Sequence, residues 1–142
     1  MKKPNIIFVL VDSLRADQCF GDEKKSHTEF LDSLISNGVY FKNTFASGDG
    51  TIISLNCLLN SKFQFQTGIR AQKIILLDDN HLRTLKNSGY HITGLLPDLK
   101  SFSSFRTFLE NENNSYDVGP PPETLSTGMT EKISSLLKSL ES

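Results

Sequence analysis

An uninterrupted apolar run near the start of the chain, residues 6–11, constrains the fold more than any other stretch. Its six residues include two isoleucines and two valines, a composition typical of a strand covered on both faces in a parallel sheet. The run ends at Asp12, and ligand sites in open α/β sheets lie at the carboxyl ends of the strands. Asp12 is therefore either a ligand for a hard or borderline cation or a residue that only caps a turn with Ser13.

Helical and strand-like patterns alternate along the rest of the chain, which predicts an α/β layered fold. Strands are predicted at 39–46 and 90–96, and helices at 29–37, from Thr51 onwards, at 78–88, from Ser101 or Ser103, and at 130–140. Asp78 or Asp79 is expected near the N-cap of the third of these helices. The helix from Thr51 is expected to bury Ile52, Leu55, Leu58 and Leu59.

Composition narrows the class of protein. The 142 residues are 37% hydrophobic and 22% charged, which suits one globular domain. A formal net charge of -1 argues against a general nucleic-acid or membrane-surface binder. Cys19 and Cys57 have neither metal-ligand nor CxxC spacing, and two cysteines make no disulfide framework. No signal sequence and no run of ~20 apolar residues is present, so we expect a cytoplasmic protein without a membrane span.

Thr51 follows the glycine-rich loop 47–50 at the expected start of a helix. A helix N-terminus offers unpaired backbone N–H groups and partial positive charge, which suit a phosphate or sulfate group. Thr51 is either a plain N-cap or a nucleophile, and the second role needs something that lowers the pKa of its hydroxyl. A divalent metal held by Asp12 would do so, provided that the two residues are close in space.

Five segments, in order, resemble the sulfatase-like branch of the alkaline phosphatase superfamily. They are PNIIFVLVDSLRAD at 4–17, FLDSL at 30–34 with GVYFKN at 38–43, TIISLNCLLNS at 51–61, residues 82–93 with GYHIT at their end, and Tyr116-Asp117. Each segment alone is a weak signal, whereas five in the same order as in that family make a strong one. The resemblance covers most of the chain, from Lys3 to about Gly119.

The resemblance implies a three-layer α/β sandwich with a mainly parallel sheet and a hydrolase or transferase that acts on phosphate or sulfate esters. It makes Thr51 the nucleophile, Asp12 and Thr51 ligands of a divalent metal (Ca, Mg, Zn or Mn), and Ser54 a substrate-binding residue. In having a threonine at this position, the chain is similar to the phosphoethanolamine transferases of that superfamily. The C-x-P-S-R pattern of formylglycine sulfatases is absent, and Ser13 stands where many members have a second aspartate.

Family members are much longer, and their remaining metal ligands come well downstream. His27, His81 and His91 do not match those positions, so the chain resembles an N-terminal part that would be inactive alone. Residues 1–119 would belong to the catalytic domain, and 120–142 would be a linker and a last helix of that domain. The incomplete sheet would expose apolar surface, which predicts a homo-oligomer. The alternatives are a degenerate, non-catalytic domain that binds an anion or a partner, and an unrelated small α/β domain.

Overall fold

The computed structural model describes residues 3–22 and 24–140, which form two units that divide between Phe45 and Ala46. The first unit is built around two helices, α1 (Ala16–Cys19) and α2 (Glu29–Asn37). An ion pair between Lys24 and Asp32 ties the connecting loop to α2. Helix α2 confirms the helix predicted at 29–37.

The predicted buried strand at residues 6–11 is wrong. These residues are in no strand, and their side chains are from 50% exposed at Leu10 to 79% exposed at Ile7. The predicted strand at 39–46 is also wrong, and Val39 is 82% exposed. A strand needs a neighbour for its backbone N–H and C=O groups, and none of the described residues before Leu96 lies in a strand. Strand-like composition alone therefore does not pair these segments.

The second unit contains the hydrophobic core and most of the regular structure. Its core cluster consists of Leu55, Leu59, Ile74, Leu82 and Phe102. The helices are α3 (Thr51–Asn60), α4 (Gln64–Thr67), α5 (His81–Asn87), a 3-10 helix (Lys100–Phe102), α6 (Ser103–Arg106) and α7 (Pro122–Ser139).

Helix α3 begins at Thr51 as predicted, but its buried face differs from the prediction. Leu55 and Leu59 are buried, whereas Leu58 is 47% exposed. Asn56 and Asn60, 4% and 2% exposed, lie on the buried face as well. A purely apolar pattern could not indicate this, because buried amides are stable only where they find hydrogen-bond partners.

The partners of the two asparagines are backbone groups of residues 73–77. Asn56 donates from Nδ2 to the carbonyl of Lys73 at 3.0 Å and accepts from the N–H of Ile75 at 2.8 Å. Asn60 donates from Nδ2 to the carbonyl of Ile75 at 2.8 Å and accepts from the N–H of Leu77 at 2.8 Å. Two side chains one helical turn apart thus bind alternate residues of a neighbouring segment, as a strand partner would.

Helix α5 begins at His81, later than the predicted start at residue 78, and its N-cap is Asn80, the residue after Asp79. Asn80 is completely buried and accepts from the N–H of Arg83 at 3.0 Å. Its amide also donates to a backbone carbonyl three residues earlier. A neutral amide fits this site because it both donates and accepts, whereas a buried carboxylate would only accept and would carry an unpaired charge.

A two-stranded parallel sheet joins β1 (Leu96–Pro97) to β2 (Ser115–Tyr116). The predicted strand at 90–96 is therefore confirmed only at its last residue. Before β1 the pairing passes through a side chain, since Asn111 both donates to the Gly94 carbonyl and accepts from the Gly94 N–H, each at 2.9 Å. Parallel pairing next to helices is the α/β character that the sequence predicts.

Helix α7 begins at Pro122, well before the predicted start at residue 130, and ends at Ser139. Proline suits the first position of a helix because its φ is already set and its missing N–H has no intrahelical role there. The ammonium of Lys132 donates to the Ser115 carbonyl at 2.7 Å and so links α7 to β2. In the described residues, no helix combines the length and the apolar character that crossing a membrane requires.

Candidate active site

Thr51 is the first residue of α3, directly after the N-cap Gly50. Gly50 is extended, with φ -159° and ψ 162°, and its carbonyl accepts the first helical hydrogen bond from the Ser54 N–H at 2.9 Å. The N–H groups at the start of a helix have no carbonyl partner within the helix and carry partial positive charge. Thr51, a half-buried residue, therefore lies at the end of α3 that is suited to an anionic ester.

The loop before Thr51 is attached to the helix that follows it. The Ser54 hydroxyl donates to the Gly48 carbonyl at 3.1 Å, and the Cys57 thiol lies 3.9 Å from the Ser47 carbonyl oxygen. Ser54 and Cys57 are three residues apart, so they lie on the same side of α3. Both contacts draw the loop toward the first turns of the helix.

Close packing at Gly48 leaves no room for a side chain. A Cβ atom built at Gly48 would lie 2.3 Å from Cγ2 of Ile53, whereas one at Gly50 would meet nothing within 4 Å. Close packing therefore requires a glycine at Gly48 but not at Gly50. The glycine-rich composition of residues 47–50 does not indicate this attachment, although the donors Ser54 and Cys57 at one-turn spacing could have indicated it.

Asp12 lies in the first unit, and Thr51 lies in the second. Asp12 is exposed, in a turn that continues through Ser13. Ser13 has a φ of +58°, a left-handed conformation that is uncommon for residues other than glycine. The structure thus places Asp12 in a turn rather than at the end of a strand, and its proximity to Thr51 stays a prediction.

Arg15 and Asp17, just after this turn, neutralise one another. The Arg15 guanidinium donates to Asp17 through Nε at 3.0 Å and through Nη2 at 2.6 Å. The hydrogen bond from Arg15, with a second one from Gln18, lowers the pKa of Asp17 to about 2. The positive charge of Arg15 is therefore already engaged by a carboxylate.

The described residues do not complete a metal centre. Asp12 and Thr51 offer oxygen donors, which suit hard divalent cations. Zinc takes about four ligands and calcium about six to eight, so two donors are too few. Among residues 3–22 and 24–140, no group of three or more His, Cys, Asp or Glu side chains is placed to hold a metal ion.

The histidines of the second unit have other partners. His81 Nε2 lies 2.6 Å from the Ser61 hydroxyl, and His91 Nδ1 lies 2.6 Å from a carboxylate oxygen of Glu110. The hydrogen bond from His91 is the largest of the effects that lower the pKa of Glu110. His27, in the first unit, is exposed. The expectation that none of the three histidines is a metal ligand stays a prediction.

Comparison with known families gives one match. The family model described as Sulfatase matches residues 4–141, which is nearly the whole chain. Comparison with curated proteins and with solved structures found no significant match. The residues matched by the Sulfatase family model include both Asp12 and Thr51.

Proposed function

This chain belongs to the sulfatase family, and from that premise we propose that it carries the nucleophile of a metal-dependent hydrolase or transferase acting on phosphate or sulfate esters. The observation that carries the proposal is the position of Thr51 as the first residue of α3, after a glycine-rich loop. In this proposal the ester oxygens are bound by the backbone N–H groups at the start of α3.

Thr51 acts in two steps. Its Oγ1 attacks phosphorus or sulfur, a covalent ester to Thr51 forms, and the bond to the leaving alcohol breaks. The hydroxyl proton of Thr51 leaves with that alcohol, so the step is balanced. Water, in a hydrolase, or a second alcohol, in a transferase, then attacks the same atom and restores the hydroxyl.

Metal dependence is proposed from family membership, with Asp12 and Thr51 as the two ligands that this chain would supply. The described residues do not complete such a site, and the metal, when bound, would lower the pKa of the Thr51 hydroxyl. The remaining ligands would come from residues that follow the part described. We accordingly propose that residues 1–119 are the N-terminal part of the catalytic domain, that 120–142 are its linker and a further helix, and that the rest of a three-layer sandwich completes it.

Exposed apolar residues support the proposal that the catalytic domain has a further part. Each residue from 6 to 11 is at least 50% exposed, although burying such side chains is strongly favourable. We propose that they associate with a further part of the protein or with a second copy, which light scattering of the 142-residue chain measures. Cytoplasmic localisation is proposed from the two free cysteines, Cys19 and Cys57, and is measured by cell fractionation.

A degenerate, non-catalytic domain that binds an anion or a partner is the alternative. Ser13 and Leu55 favour it, because they stand where the resembling family has a metal-binding aspartate and the arginine of its C-x-P-S-R pattern. Calorimetric titration of the protein from its complete reading frame with Zn²⁺, Mn²⁺, Ca²⁺ and Mg²⁺ separates the two proposals. Heat of binding near one equivalent supports the enzyme, and its absence supports the alternative.

The nucleophile assignment is tested by hydrolysis of bis-p-nitrophenyl phosphate, p-nitrophenyl phosphate and p-nitrophenyl sulfate by the same protein. Thr51→Ala is expected to lower kcat by about a thousandfold or more, because the attacking group is lost. Thr51→Ser keeps a hydroxyl and should retain measurable turnover. Thr130→Ala, on the exposed face of α7, is the matched control and should match the wild type. Full activity in Thr51→Ala would refute the assignment.

A further inference from the structure

The loop before Thr51 is fastened by two donors from successive turns of α3. The hydroxyl of Ser54 bonds the carbonyl of Gly48 at 3.1 Å, and the thiol of Cys57 contacts the carbonyl of Ser47 at 3.9 Å. The acceptors are adjacent carbonyls of one loop, and both donors belong to one helix. We propose that Ser54 and Cys57 are positioning residues, which clamp this loop and so fix where the Thr51 hydroxyl is presented.

The clamp matters because of what lies between it and the nucleophile. Gly48 and Gly50 flank a single residue, and glycine adopts more backbone conformations than any other residue. Gly50, directly before Thr51, has open space around the position of a Cβ. Without an attachment the loop would sample many conformations, and ordering it would cost free energy at every turnover. Ser54 and Cys57 order it beforehand.

The same geometry argues against the substrate-binding role that the resemblance gives to Ser54. A serine hydroxyl has one proton to donate, and Ser54 donates it to Gly48. Phosphate and sulfate oxygens are hydrogen-bond acceptors, so they need donors. Ser54 in this arrangement offers them none, and its hydroxyl acts on the loop instead.

The kinetic part of the test rests on the proposed function and uses bis-p-nitrophenyl phosphate with the protein from its complete reading frame. Ser54→Ala is expected to lower kcat about tenfold, the order of effect of one lost hydrogen bond, with KM within about twofold of the wild type. Ser54→Thr keeps the hydroxyl and should restore kcat. Ser61→Ala, which removes a hydroxyl at the opposite end of α3, is the control. A rise in KM with unchanged kcat would overturn the proposal in favour of direct substrate contact.

A second readout needs no turnover and therefore separates the clamp from the proposed function. Cys57 is 6% exposed and lies under the loop, so releasing the loop uncovers its thiol. Alkylation by iodoacetamide, followed for each cysteine by peptide mass spectrometry, should be about tenfold faster at Cys57 in Ser54→Ala and unchanged in Ser61→Ala. Cys19, in the first unit, is the internal control. An unchanged rate at Cys57 would refute the clamp, even if the wild type proves inactive.

Discussion

Replacing Asn60 with alanine is expected to lower the free energy of unfolding of the second unit by about 2–3 kcal/mol. Asn60 is 2% exposed and binds the Ile75 carbonyl and the Leu77 N–H, each at 2.8 Å. The alanine variant leaves these two backbone groups without their partner. A buried group left unpaired costs about 1–3 kcal/mol, and the half-buried positions of Ile75 and Leu77 place each cost toward the lower end.

Urea unfolding followed by far-UV circular dichroism measures this change. With a slope of about 1.5 kcal/mol per molar urea, the midpoint should fall by about 1.3–2 M. Asn87→Ala is the matched control, because Asn87 is the last residue of α5, as Asn60 is of α3, but is exposed; its midpoint should hardly move. If both variants unfold at the wild-type midpoint, the two asparagine side chains of α3 do not hold residues 73–77 in the way described.

Two further predictions concern the loop and the first unit. Gly48→Ala should destabilise the second unit by about 1–3 kcal/mol in the same unfolding assay, because the added methyl group overlaps a packed side chain. Gly50→Ala, the control, should cost less than about 1 kcal/mol. Equal effects of the two substitutions would contradict the close approach at Gly48. Arg15→Ala should raise the pKa of Asp17 from about 2 toward its ordinary value of 3.8, as followed by carbon NMR of the carboxyl group, since the Arg15 hydrogen bond lowers it most. Because the folded pKa lies below the unfolded one, this contact stabilises the first unit above about pH 4 and stops doing so as the pH falls toward 2; an unchanged pKa would show that the pair does not form.

Two local patterns predicted local structure correctly. The apolar spacing of α2 and the glycine-rich loop before Thr51 indicated where helices begin and end, and these features depend on neighbouring residues in sequence. The prediction of a strand at 6–11 failed because a strand exists only with a partner strand, and composition does not specify that partner.

The burial of polar side chains in the core of the second unit was not predicted, for a related reason. Asn56 and Asn60 look like solvent-facing residues of a helix, and their burial depends on a segment more than ten residues away in the sequence. The site was predicted in part: Thr51 was placed correctly at a helix start. The attachment of its loop through Cys57 depends on side-chain geometry that the apolar pattern of α3 does not encode.

The asparagine pair of α3 also bears on Thr51, at the opposite end of the same helix. Four residues of helix rise about 6.0 Å and two residues of extended chain about 6.6 Å, so amides one turn apart meet every second residue of the segment 73–77. A slide by a single residue would bring amide donors against N–H groups and oxygens against carbonyls. The two asparagines therefore fix the axial position of α3 relative to the core. Because Thr51 is the first residue of the same ten-residue helix, its position is fixed as well.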